Sequence, residues 1–155
     1  LLRSIIDHSP ATISLKDLDG RYQLVNKAYL SAFDVTLEQA IGEFDESIIT
    51  ASHTKIRAPH EKSVIKTGEA STEERRGVLP SGTEFSGVVT KFPIRNQVGE
   101  IKSIGTIGTD LSALRKAEEN LQAVESHFSE ILRIAPQAII SMNVDGIILM
   151  FNDAA

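Results

Sequence analysis

The first third of the chain carries two short runs of β-forming residues and then changes to helical spacing. Thr12–Lys16 and Tyr22–Val25 flank the turn-forming segment Asp17–Gly20, an arrangement that predicts a hairpin. Asn26 follows the second run directly and is a favourable N-cap for a helix over Lys27–Phe33, since its side chain can accept a hydrogen bond from a free backbone amide. The pattern of this segment is therefore β-β-α.

Three further helices are predicted around this segment: Leu1–His8, Thr36–Gly42 and Ser52–Lys66. The last is the longest in this part of the chain, and Thr67-Gly68 closes it. Pro59 is expected to interrupt it, because proline removes one helical hydrogen bond and its ring clashes with the preceding turn.

From residue 71 onward the hydrophobic pattern has a period of two. Strands are predicted over Ser71–Leu79, Glu84–Ile94 and Glu100–Thr109, and the segments between them contain glycine and favour hairpin turns. The order of two strands, several short helices and three strands predicts an α+β fold, in which helices cover one face of an antiparallel sheet.

A heptad pattern follows the last predicted strand. Seven apolar residues recur at alternating intervals of three and four, before Pro136 ends the pattern: Leu114, Ala117, Leu121, Val124, Phe128, Ile131 and Ala135. This spacing predicts a long helix over 112–135 that pairs with a second copy of the chain in a homodimer. An amphipathic helix packed on its own domain is the alternative.

Residues 5–29 and 131–155 are two versions of one segment, 126 positions apart and aligned without a gap. The matched positions include a proline, an Asp-Gly turn and an asparagine: Pro10 with Pro136, Asp19-Gly20 with Asp145-Gly146, and Asn26 with Asn152. The repeat predicts a complete domain over 1–111, a connecting coiled-coil helix over 112–135 and the start of a truncated second domain over 136–155. The chain is therefore expected to be part of a longer tandem protein.

Composition narrows the function classes. The chain has 41% hydrophobic and 24% charged residues, which is the balance of a globular domain. A net charge of −5 with scattered basic residues argues against nucleic-acid binding, and no apolar run is long enough to span a bilayer. We expect a cytoplasmic fragment without membrane contact, although the parent protein could carry an anchor. With no cysteine, the chain has neither disulfides nor thiolate metal sites.

Several segments resemble the PAS domain, the sensor module of bacterial signalling proteins. The opening is carried by Ile5–Ala11 and Asp19–Ala28, and later landmarks are Ile65–Glu69, Ser81–Phe85, Phe92–Ile94 and Asp110–Ser112. The resemblance covers about residues 5–112 and resumes at 131–155. It implies a five-stranded antiparallel sheet in strand order 2-1-5-4-3, with helices over one face and a long helix after it.

The resemblance also bears on cofactors, and the cofactor stays unassigned. In the haem-binding members, the register that carries the iron ligand falls here on Arg57 and not on a histidine, which disfavours haem. His53 and His60 lie seven residues apart on the long helix and could hold a metal only if Pro59 left that helix intact, whereas His8 and His127 are expected at the surface. The absence of cysteine excludes the flavin photochemistry of the light-sensing members, and noncovalent flavin remains open.

A ligand pocket is the second implication. Matching the strand over 84–94 to the family places Phe85, Gly87, Val89 and Lys91 toward the pocket. Lys91 and Arg57 could then receive a carboxylate ligand within a wall formed by Val64, Ile104 and Thr106. In the alternative, Lys91 extends to the rim of the domain and Arg57 pairs with a surface acid.

Asp110-Leu111-Ser112 resembles the Asp-Ile-Thr junction at which the last strand of a PAS domain meets its output helix, with serine in place of threonine. We expect this junction to couple the sheet to the heptad helix. Glu73–Arg76 is interpreted as an exposed edge, and no group of acid, base and nucleophile indicates an enzyme.

The predicted function is a sensory module that binds a small-molecule ligand or cofactor. Its signal would pass through the heptad helix to an effector, either a histidine kinase or a diguanylate cyclase or phosphodiesterase. The alternative is a ligand-free PAS module that serves dimerisation and spacing.

Overall fold

The computed structural model describes residues 1–49 and 51–155, and the side chains of residues 51–56 lie outside that description. The described chain divides into two compact units, residues 1–112 and residues 113–155. This boundary groups the long helix with the C-terminal hairpin.

The first unit contains five short or medium helices and five strands. They are α1 (Leu2–Asp7), β1 (Thr12–Asp17), β2 (Tyr22–Val25), α2 (Lys27–Phe33), α3 (Leu37–Ala40), α4 (Asp45–Ile48), α5 (Ala51–Thr67), β3 (Ser71–Val78), β4 (Glu84–Arg95) and β5 (Ile101–Asp110). The strands form one antiparallel sheet in the order β2-β1-β5-β4-β3, as predicted. Strand ends fall within one residue of the prediction, whereas α4 is an addition to it.

Helix α5 differs from the sequence prediction at its proline. The helix runs from Ala51 to Thr67 with Pro59 inside it, so the expected interruption is wrong. Proline removes only one backbone donor, and packing on the sheet can hold a helix through such a position. In α5 this packing is against β4 and β5. The continuous helix presents Arg57 and Glu61, four residues apart, on one face.

The register of the central strands fixes which side chains face the helices. Ser14 of β1 pairs with Thr106 of β5, and Thr106 pairs in turn with Lys91 of β4. Gly108 lies on this inward face, and a Cβ there would be 2.5 Å from the hydroxyl oxygen of Thr12. Because a side chain has no room at Gly108, this end of the face stays open.

The hydrophobic core lies between the β1–β2 hairpin and the helices that follow it. Its buried members are Tyr22, Val25, Tyr29, Phe33, Ala40 and Ile49. The rings of Tyr29 and Phe33 stack with centroids 4.3 Å apart, and those of Tyr22 and Tyr29 are tilted at 5.4 Å. This aromatic group holds α2 against the hairpin.

Asn26 has a larger role than the predicted N-cap. Its side chain, 0% exposed, accepts hydrogen bonds from the amides of Tyr29 and Ile13 and donates to the carbonyls of Ile6 and Ala11. One buried amide group thereby links α1, β1 and α2. Without this side chain, these backbone groups would be buried without a hydrogen-bond partner, which would lower the stability of the fold.

The second unit consists of most of α6 (Ser112–Ile134) with the antiparallel pair β6 (Ile140–Met142) and β7 (Ile148–Phe151). Asn152 accepts a hydrogen bond from the amide of Ile139 and donates to the carbonyls of Leu132 and Gln137. These partners are the counterparts of Ile13, Ile6 and Ala11 at the repeat distance. The sequence repeat is therefore also a repeat of hydrogen bonding.

Apolar side chains of the second unit are widely exposed. Leu121 and Val124 of the heptad pattern are more than half exposed, as are Ile140 and Phe151 of the hairpin. Within the described residues, no helix is both long enough and apolar enough to cross a membrane.

Candidate functional site

A cavity of about 390 Å³ lies between the inward face of the sheet and helices α2 and α5. Its walls include Ser14 of β1, Lys91 of β4, Thr106 of β5 and Arg57 of α5, with Tyr29 and Phe33 of α2 on the helical side. This volume lies within the range of small-molecule sites in proteins.

The structure brings four of the six predicted pocket residues to the cavity. Arg57, Val89, Lys91 and Thr106 border it, whereas Val64 and Ile104 are buried nearby without bordering it. The alternation proposed for β4 also holds, because Phe85 and Val89 line the cavity together with Lys91.

Lys91 is buried and does not extend to the rim. It is 2% exposed, and its Nζ donates to Glu61 Oε1 at 2.6 Å and to Thr106 Oγ1 at 3.2 Å. The rim alternative is wrong because Glu61, one turn after Arg57 on α5, offers a carboxylate inside the domain. Burial lowers the pKa of Lys91 to about 8, and the Glu61 carboxylate acts against this shift.

A second buried lysine, which sequence reasoning missed, shares the same carboxylate. Lys16 of β1 is 4% exposed, and its Nζ lies 3.0 Å from Glu61 Oε1 and 2.6 Å from Asp45 Oδ2. Glu61 therefore bridges the ammonium groups of two different strands. Alternation along β1 places Lys16 on the same face as Ser14, which was the available signal.

Arg57 contacts a buried acid and not a surface acid, so that alternative is also wrong. Its Nη1 lies 3.6 Å from Asp45 Oδ1 and donates to the Tyr22 hydroxyl at 3.1 Å. Its guanidinium stands over the ring of Phe33, 4.6 Å from the centroid. Asp45, at the start of α4, is only 6% exposed.

The two tyrosines extend this network. Tyr29 donates to the hydroxyl of Tyr22 at 2.6 Å, and Tyr22 donates to Asp45 Oδ1 at 2.5 Å. Burial raises the pKa of Tyr22, so its hydroxyl stays protonated and continues to donate.

Both carboxylates of the network are ionised at neutral pH. Burial acts to raise the pKa of Asp45, but Lys16 and Arg57 outweigh it and hold the pKa below its usual range. Burial acts in the same direction on Glu61, and Lys91 and Lys16 likewise hold its pKa low. Three cationic side chains thus face two carboxylates, which leaves one excess positive charge beside the cavity.

His60 is buried close to this group. Its Nε2 hydrogen bonds to the carbonyl of Ser71 at 3.2 Å, and its Nδ1 lies 3.4 Å from Glu73 Oε2 without a hydrogen bond. Burial lowers the pKa of His60. The side chain of His53 lies outside the described residues, and His8 and His127 are exposed as expected.

The predicted junction forms a compact hydrogen-bonded turn. Asp110 Oδ1 accepts from the amide of Ser112 at 2.8 Å and from its hydroxyl at 2.6 Å. The Ser112 hydroxyl in turn accepts from the amide of Ser86 at 2.9 Å. Burial acts to raise the pKa of Asp110, but the hydrogen bonds from Ser112 hold it below its usual range. The end of β5 and the start of α6 are thereby tied to β4.

The family assignment follows from residues 6–116, which match the family described as the PAS fold. The chain belongs to the PAS family. The predicted recognition and the predicted sheet order are both confirmed, and the PAS domain is a sensory, noncatalytic fold.

Two curated relatives are signalling proteins. The chain is 24% identical over 147 residues to the methanogenesis regulatory histidine kinase FilI of Methanothrix harundinacea, a match that covers 95% of the chain and 16% of FilI. It is 30% identical over 121 residues to the virulence sensor protein BvgS of Bordetella pertussis, covering 76% of the chain and 10% of BvgS. The chain thus spans only a small part of either relative.

Solved structures include close matches to the same fold. The PAS domain of Bordetella pertussis BvgS is 26% identical with a TM-score of 0.63, over 81% of this chain and 95% of that one. VqmA of Vibrio cholerae, described as a dimer, is 26% identical with a TM-score of 0.64, and the match covers 70% of this chain and 51% of VqmA. A further VqmA structure, bound to DPO, matches with the same TM-score, and the match covers 70% of this chain and 55% of that one.

We predict that Asp45→Asn destabilises the PAS unit by about 3–5 kcal/mol at pH 7, because it leaves buried Lys16 and Arg57 with one carboxylate fewer. The wild-type pKa of Asp45 is depressed, so its contribution is present above its usual range and is lost as the pH falls below about 4. Denaturant unfolding at pH 7 and pH 3 measures both effects.

The matched control is Glu46→Gln, which removes an exposed carboxylate from the same helix. It should change the free energy of unfolding by less than about 0.5 kcal/mol. Equal acid sensitivity of Asp45→Asn and wild type would contradict the assignment.

Proposed function

We propose that this PAS unit is a sensory module in which a small molecule in the cavity alters the sheet, and the junction passes that change into α6. One observation carries the proposal: the cavity and the junction share β4 and β5. Thr106 and Gly108 line the cavity, and Asp110 follows two residues later on the same strand. The partner strand contributes Lys91 and Val89 to the cavity and Ser86 to the junction.

The domain organisation supports a relay. In this proposal residues 1–111 form the sensor, residues 112–135 form the signalling helix, and residues 136–155 begin a second PAS unit. The hydrogen bonds of Asn152, which repeat those of Asn26, support the last assignment.

The parent protein in this proposal is a signalling protein whose effector lies outside the chain. The name of FilI, a regulatory histidine kinase, favours a histidine kinase over a diguanylate cyclase or phosphodiesterase, and BvgS is named as a sensor protein. A ligand-free module for dimerisation and spacing is the competing function. The open volume beside Lys91 and Thr106 speaks against a completely filled core.

The relay is tested by filling the cavity with a side chain. Val89→Phe should change hydrogen exchange in the first two turns of α6 by about fivefold or more, since typical coupling energies are 1–3 kcal/mol. Asp110→Ala should leave the fold intact and abolish that change. Exchange measured by mass spectrometry on the 155-residue chain provides the readout.

Val88→Phe is the matched control, because Val88 lies on the opposite face of the same strand. An equal response to Val88→Phe and Val89→Phe, or a response that persists in Val89→Phe/Asp110→Ala, would contradict the relay and favour the spacer function.

Dimerisation forms the second part of the proposal. The helix α6 pairs in parallel with a second copy, which would cover Leu121, Val124 and the other exposed heptad residues. Leu121→Glu should shift the chain from dimer to monomer in sedimentation equilibrium. The dissociation constant should rise at least tenfold, because the substitution removes the free energy gained by burying a leucine side chain.

The control is Asn120→Glu, which places the same charge one position away, outside the apolar positions of the heptad pattern. A wild-type chain that is monomeric at high micromolar concentration would rule out this interface.

A further inference from the structure

The polar end of the cavity is formed by the side chains of Arg57 and Lys91, which belong to a network with one more cation than anions. Their neutralising partners, Asp45 and Glu61, are also engaged by Lys16, so the two acids serve three cations. The charged residues of β3 that border the cavity are two glutamates and two arginines, whose charges cancel: Glu73, Glu74, Arg75 and Arg76. Among the described side chains of this group, one positive charge therefore remains without a matching anion.

Ser14 gives an independent indication of a polar ligand. It is 5% exposed, lies on the inward face opposite Thr106 and borders the cavity. Across the residues that the structure describes, its hydroxyl makes no hydrogen bond with another group. Because this hydroxyl borders the cavity, it is available to exchange a hydrogen bond with a ligand oxygen.

The cavity also has an apolar end. Val89 and Phe85 lie two and six residues from Lys91 along β4, which corresponds to about 7 and 20 Å in an extended strand. Leu79 borders the cavity as well. A ligand that fills this space therefore meets cations and hydroxyls at one end and apolar side chains along the rest.

We infer that the cavity binds a small organic monocarboxylate, whose carboxylate lies against Arg57, Lys91 and Ser14 and whose apolar body extends along Val89. The inference rests on the proposed sensory function and names the class of its ligand. A single negative charge balances the network, whereas a dianion would leave an unmatched buried negative charge. A neutral ligand would leave the excess cation as it is.

Four probes distinguish the possible ligands in calorimetric titrations of the 155-residue chain. Benzoate supplies one negative charge and a compact apolar body, benzamide is its neutral analogue, succinate is a dianion, and inorganic phosphate lacks an apolar body. Benzoate should bind at least about tenfold more tightly than benzamide, since hydrogen bonds to charged groups contribute roughly 1.5–3 kcal/mol. Succinate and phosphate should bind more weakly than benzoate.

Two substitutions test the assigned cations. Arg57→Gln and Lys91→Met should each weaken benzoate binding about tenfold or more and weaken benzamide binding by a smaller factor. Lys62→Gln removes an exposed cation from the same helix and should have no effect. Ser14→Ala is the mildest change and should weaken benzoate binding severalfold, so it keeps the test open if a cation variant fails to fold.

Outcomes against the inference are separable from failure of the proposed function. Equal affinity for benzoate and benzamide, or full benzoate affinity in Arg57→Gln, overturns the carboxylate assignment and leaves a sensory cavity intact. No binding of any of the four probes also overturns the assignment. In that case the response of α6 to Val89→Phe still decides whether the cavity is coupled to the helix.

Discussion

The Glu61 carboxylate, shared by Lys16 and Lys91, is the interaction on which the interior of the PAS unit depends. It joins α5 to two strands of the sheet through contacts of 3.0 and 2.6 Å. Without it, two ammonium groups would lie in the interior with only Asp45 to balance them. Removing one partner of a buried ion pair destabilises the fold strongly, whereas the intact pair makes only a small net contribution to stability.

Burial of charge also explains how one site could serve both recognition and signalling. The charged side chains hold the helices at a fixed place above the sheet, and the strands that form the cavity continue into the Asp110–Ser112 turn. A ligand that changed the balance of charge near Lys91 would act on β4 and β5 directly. The proposed relay requires no separate moving element, because the hydrogen bond from the Ser86 amide to the Ser112 hydroxyl already connects the sheet to the start of α6.

Most of the fold could be predicted because its signals are local. Period-two patterns, turn glycines and the Asn26 cap identify strands and helices within short windows. Alternation divides β4 into two faces, and the resemblance to the family was needed to choose the face with Lys91 as the inward one. The partners of the cations could not be found in this way. Lys16 meets Asp45 and Glu61 across 29 and 45 positions of sequence, and these contacts exist only after the helices pack on the sheet. The continuity of α5 through Pro59 has the same origin.

The most direct measurement is the titration of the Lys91 side chain by NMR, with and without benzoate. The groups around its ammonium are Glu61, Arg57 and His60 of α5, Lys16 of β1 and Thr106 of β5. With its pKa at about 8, Lys91 should lose its proton well before the exposed lysines, and benzoate should move that pKa upward. Titration together with the exposed lysines, unchanged by benzoate, would contradict a buried cationic site.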